Sequence, residues 1–172
     1  MTIADLGAET RSIARIARQN EWSALCFAHR MEQTAEQLDE LSEQIIGAAI
    51  EVHRHLGPGL LESIYRECLL MELTAKNLRV EVERRVPVHY KGRRIDHYLK
   101  LDLVVEGCII VEVKSVSSID PVHLAQVITY LKLANCPAGL LMNFNATTLR
   151  AGLRRLNHPD RHRPNQHVRT AN

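Results

Sequence analysis

A chain of 172 residues is one domain by the usual size prior and long enough to enclose a single core. Its hydrophobic fraction of 45% and charged fraction of 24% are ordinary for a water-soluble globular protein, and no apolar run approaches the ~18 residues of a membrane span. A formal net charge of +2 is too small to mark a nucleic-acid binder by composition alone, and the four cysteines (Cys26, Cys68, Cys108, Cys136) lie far apart with no C-x-x-C pair, as thiols in a reducing cytoplasm would.

Residues 1–38 carry an arginine-spaced segment, Arg11, Arg15 and Arg18, with Ile13, Ile16 and Trp22 between and after them. It reads as a poorly ordered extension or a short amphipathic helix, and it lacks the continuous apolar stretch of a signal peptide. A further reading has translation start at Met31. From Leu41 the pattern is firm: Leu41, Ile45, Ala48, Val52 and Leu56 recur at helical spacing, and Gly57-Pro58-Gly59 stops the helix. A second helix is expected over residues 60–76, burying Leu61, Ile64 and Cys68 with Leu69 and Leu73. Glu62 lies in its first turn, where a carboxylate favours the helix dipole, and Tyr65 is its surface neighbour three residues on.

Val80, Val82, Val86 and Val88 alternate with Glu81, Glu83 and Arg85, which predicts a strand with one wet face. Lys91-Gly92 marks a hairpin turn into a strand from Arg93. The cluster Arg84, Arg85, Lys91, Arg93 and Arg94 reads first as a solvated edge and second as a contact for a phosphate backbone. Tyr98, Lys100 and Asp102 share a strand face, which would bring Lys100 toward the same cleft as Lys114.

Two short apolar strands follow, 101–105 and 109–114, joined by Glu106-Gly107-Cys108 and interrupted by Asp102, Glu112 and Lys114. Ionised groups in buried strands are costly unless they are paired. A three-residue loop pairs Val105 with Ile109 and sets Asp102 opposite Glu112, with Cβ atoms about 5 Å apart. A two-residue loop would throw Glu112 to the other face. Two carboxylates at about 5 Å repel by roughly 3 kcal/mol at an effective dielectric near 20, so they call for a shared proton or a cation. Hard oxygen donors suit Mg²⁺.

Asp120 is placed to cap a helix beginning at Pro121, with His123, Gln126 and Tyr130 on one face. Residues 139–144 form a further strand, and strand–helix–strand with so long a connection predicts a right-handed crossover with parallel pairing. A last helix is expected over residues 147–156. The tail from Asn157 is nearly devoid of apolar residues and is expected to be disordered. From Arg150 to the end it carries six arginines against one aspartate, a composition that attracts phosphate without specificity.

Asp102, nine residues, then Glu112-Val113-Lys114 resembles the D…(D/E)-x-K signature of the PD-(D/E)xK nuclease superfamily. Gly59-Leu60-Leu61-Glu62-Ser63-Ile64-Tyr65 resembles the motif of the small bacterial GxxExxY proteins within it, and Gln126-Val127-Ile128-Thr129-Tyr130 is similar to the Q-x-x-x-Y helix of its exonuclease-like members. The likeness spans residues 41–156. One departure is Leu101, where the superfamily signature has proline.

The resemblance implies an α/β fold with a restriction-endonuclease-like core, a mixed central sheet flanked by helices, over residues 39–156. It implies Mg²⁺-dependent hydrolysis of phosphodiester bonds in DNA, with RNA not excluded and Mn²⁺ as a substitute. Asp102 and Glu112 would hold the metal, helped by the Val113 carbonyl and Glu62. Lys114 would orient the attacking water, and Gln126 and Tyr130 would steady the site. The alternative is a catalytically silent nucleic-acid-binding or regulatory module, with a larger protein as partner.

Overall fold

The computed structural model describes residues 33–160. The expectations for the N-terminal extension up to residue 32 and for the basic tail beyond residue 160 lie outside them. Helix α1 (Ala35–Leu56) opens six residues before the apolar stripe read from the sequence, because Thr34 caps it. The Gln37 N–H donates to the Thr34 hydroxyl at 3.2 Å, and the Thr34 N–H donates back to the Gln37 side chain at 2.9 Å. Leu38, Leu41, Ile45, Ala48, Ala49 and Val52 face the core. Leu56, expected on the same stripe, is exposed in the last turn. Gly57 ends the helix at φ 65° with its N–H on the His53 carbonyl.

Helix α2 (Glu62–Ala75) buries a different face from the one predicted. Leu61 and Ile64 are exposed and Cys68 is half-buried, while Tyr65, Leu69 and Leu73, spaced by four, are sealed in the core. Tyr65 sets that rotation. Its ring stacks on Phe144 at 4.6 Å, and its hydroxyl donates to the Gly57 carbonyl at 2.6 Å and accepts from the Leu60 N–H at 3.1 Å. A tyrosine with both lone pair and proton satisfied goes inside without penalty, so it is not the surface neighbour of Glu62.

The sheet is five-stranded in the order β1 (Val80–Tyr90), β2 (Arg93–Val105), β3 (Ile109–Lys114), β4 (Ala138–Asn143) and β5 (Leu153–Asn157). Every neighbouring pair is antiparallel except β3 and β4, which run parallel. Helix α3 (Pro121–Ala134) makes the crossover between that parallel pair. Among the valines of β1 only Val86 is buried and Val82 is exposed. Alternation fails there because Glu83 takes a left-handed φ of 50° and the registered pairs pass over it. Helices α1 and α2 cover one sheet face through Leu103, Val105, Ile109, Val111 and Val113. Helix α3 covers the other through Leu101, Val104, Ile110 and Leu141.

The last helix expected over residues 147–156 is not formed. Residues 144–152 make turns, and β5 pairs antiparallel with β4. All six residues of β4 are buried, so its outer edge must find hydrogen-bond partners, and β5 supplies them. Gly152 allows the return, since a Cβ there would collide with the Asn143 carbonyl. Asn157, taken from the sequence as the start of the tail, is the last residue of this strand, opposite Ala138.

Candidate metal centre

The central hairpin turns through Glu106 (φ 50°) and Gly107 (φ 65°), closed by the Cys108 N–H on the Val105 carbonyl at 2.9 Å. The unfavourable backbone of Glu106 is held by Arg79. The Arg79 N–H and guanidinium donate to the Glu106 carboxylate at 2.7–2.9 Å, and the Glu106 N–H donates to the Arg79 carbonyl. The loop therefore has three residues, and Val105 pairs with Ile109, as the charge pattern required.

Pairing between β2 and β3 ends at Leu103 with Val111, one step short of Asp102 and Glu112. The two strands diverge there. Leu101 and Leu103, two residues apart, pack against opposite helical layers, so alternation breaks at Asp102. Its Oδ2 takes the place of a backbone carbonyl and accepts the Val113 N–H at 3.0 Å. Its Oδ1 accepts from the Arg66 guanidinium at 3.0 Å.

Glu112 is 4% exposed. The Lys114 ammonium donates to its Oε1 at 2.7 Å, and its Oε2 is buried with no hydrogen-bond partner among the described residues. Burial, and then the charge of Asp102, push the Glu112 carboxyl up to about 7, against the pull of Lys114. Burial opposes the charge on Lys114, yet the bond to Glu112 and the fields of Glu112, Glu62 and Asp102 raise it above the ordinary lysine range. Lys114 is a cation throughout neutral pH.

Glu62 reaches the same region from α2. Its Oε1 accepts the Ser115 N–H at 2.9 Å, while the Ser115 hydroxyl donates to the Leu60 carbonyl at 2.6 Å. These bonds tie the segment between α1 and α2 to the end of β3. Gln126 donates to the Tyr130 hydroxyl at 2.6 Å, one turn apart on α3. Tyr130 is mostly buried in the α3 layer, and among the described residues no hydrogen bond joins either to Glu112 or Lys114. His123 serves the cap of α3, its ring Nδ1 accepting the Asp120 N–H at 3.1 Å.

The structure also brings in residues that sequence reasoning missed. Arg66 bridges Asp102 and, at 2.9 Å, Glu83. Asn143, buried at the end of β4 beside Lys114, holds the backbone of Val116 at both its N–H (3.0 Å) and its carbonyl (2.8 Å). A polar residue closing the apolar run 138–143 was the available signal for Asn143. For Arg66 there was none, because its partners lie on other elements. Lys100, expected beside Lys114, is drawn to Glu83 at 2.9 Å. Within the basic cluster, Arg84 pairs with Glu81, Arg85 lies over the Tyr98 ring and Lys91 over the Tyr90 ring.

Does this donor set suit a hard divalent cation? Among the described residues no three His, Cys, Asp or Glu side chains form a ready metal cage. Asp102 and Glu112 nevertheless supply carboxylate oxygens, which suit Mg²⁺, a cation that commonly takes only one or two of them from the protein. The buried, unpartnered Oε2 of Glu112 is an acceptor that such a cation would satisfy. The residues fit the group.

Among the described residues, no helix is long and apolar enough to cross a membrane. A sequence model of the PD-(D/E)XK nuclease superfamily matches residues 39–156. No curated protein and no solved structure matches.

Proposed function

The chain belongs to the PD-(D/E)XK nuclease superfamily, and from that premise we propose that it is a Mg²⁺-dependent nuclease cutting phosphodiester bonds in DNA, with RNA as the second substrate to be tested. Within the superfamily we place it with the GxxExxY proteins, on the residues 59–65 described above. The observation that carries the reading is the Glu112 carboxylate: buried, raised in pKa beside Asp102, held by Lys114 on one oxygen and by no described residue on the other.

Asp102 and Glu112 would hold the cation, with the Val113 carbonyl and Glu62 as further donors. When bound, the cation polarises the phosphoryl group and acidifies a water. The chain's own residues do the rest. Lys114 spends one N–H on Glu112, which fixes its direction, and keeps two for the attacking water and the charge that grows on the phosphate. The Val113 N–H anchors Asp102 so that it need not be oriented afresh. The Asn143 clamp holds the strand end after Lys114 in place. Gln126 and Tyr130, locked to each other, would steady the strand being cut.

A second reading keeps the fold as a nucleic-acid-binding or regulatory module without turnover. It draws on Asp102, whose two oxygens are both occupied by protein donors. Cleavage of labelled single- and double-stranded DNA and RNA with Mg²⁺ or Mn²⁺, beside Glu112→Ala and Lys114→Ala, separates the two. Cutting by the wild type that is lost in both variants supports the nuclease. Binding without cutting under every condition overturns it.

A further inference from the structure

Arg66 lies on α2 one turn beyond Glu62, with its guanidinium mostly covered and divided between two carboxylates on different strands. One amino group donates to Asp102 Oδ1 at 3.0 Å and the other to Glu83 Oε1 at 2.9 Å. Glu83 also accepts from Lys100 at 2.9 Å. The remaining oxygen of Asp102 takes the Val113 N–H. We propose, on the metal-dependent reading above, that Arg66 is the exchangeable counter-charge of the site: it neutralises Asp102 while the metal is absent, and Glu83 retains it when the cation takes its place on Asp102 Oδ1.

Chemistry and geometry both point this way. A guanidinium stays protonated in a protein, so it cannot relieve its repulsion with an arriving dication by losing a proton. It has to move. Its planar fork already has one prong on each carboxylate, so the exchange breaks a single hydrogen bond and leaves the other in place. Glu83 is positioned for this by an unusual backbone. It stands in left-handed φ at 50°, where the registered pairing of β1 with β2 passes over it beside Asp102. Arg66 is thus a positioning residue, and Glu83 keeps it from being stranded as an unpaired buried charge.

Opposite shifts in metal affinity test this. Mn²⁺ titrations of the full chain, read by the paramagnetic resonance of free Mn²⁺, would compare wild type with Arg66→Gln, Arg66→Lys and Glu83→Gln. Melts in chelator would run in parallel. Removing the competing cation in Arg66→Gln should tighten Mn²⁺ binding by about tenfold and lower the melting temperature of the metal-free protein. Arg66→Lys keeps the charge and should stay near wild type in affinity. Glu83→Gln leaves Asp102 as the one carboxylate holding Arg66 and should weaken Mn²⁺ binding. Loss of a residue that merely orients a ligand usually weakens binding by about 10–100-fold, so weaker binding in Arg66→Gln overturns the inference. So does a Glu83→Gln affinity that is unchanged or moves with that of Arg66→Gln, and this arm decides the matter if Arg66→Gln does not fold. A wild type that binds no Mn²⁺ removes the metal site itself and the inference with it, whereas binding with the wrong signs removes the inference alone.

Discussion

Lys114 and Glu112 share one hydrogen bond of 2.7 Å, and it leaves their partnership incomplete: Oε1 holds the ammonium while Oε2, sealed from water, has no hydrogen-bond partner among the described residues. Two residues apart on β3, they form a hydrogen-bonded pair whose acidic member still prefers its neutral form up to about pH 7. Burial and the neighbouring Asp102 outweigh the lysine. That imbalance has consequences in solution.

The first concerns pH. Glu112 binds its proton more tightly folded than unfolded, so at this group the unfolded chain holds less proton between about pH 4.5 and 7, and its contribution to stability falls as pH rises through that window. A shift from 4.5 to about 7 corresponds to about 3 kcal/mol lost above pH 7, relative to pH below 4.5. Urea unfolding of the metal-free protein from pH 4.5 to 8 measures it, with Glu112→Gln as the flat reference for this group. Parallel curves for the two proteins would show that the carboxyl titrates normally.

Divalent metal should reverse that slope. A cation that needs ionised carboxylates binds more strongly as Glu112 loses its proton. The rise in melting temperature given by saturating Mn²⁺ should therefore grow from pH 6 to pH 8 in the wild type and vanish in Glu112→Gln. A rise that does not depend on pH would place the ion elsewhere.

Asp102→Asn and Glu112→Gln should part company in stability, although both lose metal affinity. Glu112→Gln removes a strained charge and leaves the metal-free protein as stable or more so at pH 8. Asp102→Asn strips Arg66 of a partner, and a hydrogen bond to a charged group is worth about 1.5–3 kcal/mol. Paired melts in chelator at pH 8 decide it, and equal shifts for the two variants would contradict the distinction.

The motif tyrosine should prove structural. Tyr65→Phe keeps the stack on Phe144 but strands the Gly57 carbonyl and the Leu60 N–H, at a cost of about 1–3 kcal/mol. Its melting temperature should drop while Mn²⁺ affinity at 25 °C stays within about threefold of wild type, a difference of under 1 kcal/mol. Lost affinity in a fully folded Tyr65→Phe would give the hydroxyl a role at the metal.

A chain of residues 31–160 should unfold cooperatively, since it holds both the Thr34 cap and all of β5. Ending the chain at Gly152 instead would expose the fully buried β4 as an edge, and unpaired edges invite aggregation. Melts and light scattering of the two chains provide the comparison.

What was legible in the sequence was what short-range rules govern. The three residues between Val105 and Ile109 set the register, which runs as far as Leu103 with Val111 and leaves Asp102 and Glu112 one step beyond it. Asp120 with Pro121 announced α3, and Lys91-Gly92 announced the first hairpin. The misses lie where partners come from afar. The inward face of α2 follows Tyr65, which answers to Phe144 some 80 residues on. Leu153 and Leu156, spaced like one side of a helix, instead touch opposite layers as a strand that seals β4. The two oxygens of Asp102 are claimed by α2 and β3, an arrangement that no local spacing encodes.

The Glu106–Gly107 turn lies four residues from Asp102 at a strand rise of about 3.3 Å each, far from any reacting atom, yet it behaves as the gauge against which the site is measured. Deleting one residue there would leave every functional side chain in the polypeptide and send Glu112 to the wrong side of the sheet. Arg79, whose grip on Glu106 holds the turn, thereby bears on a candidate site it never touches.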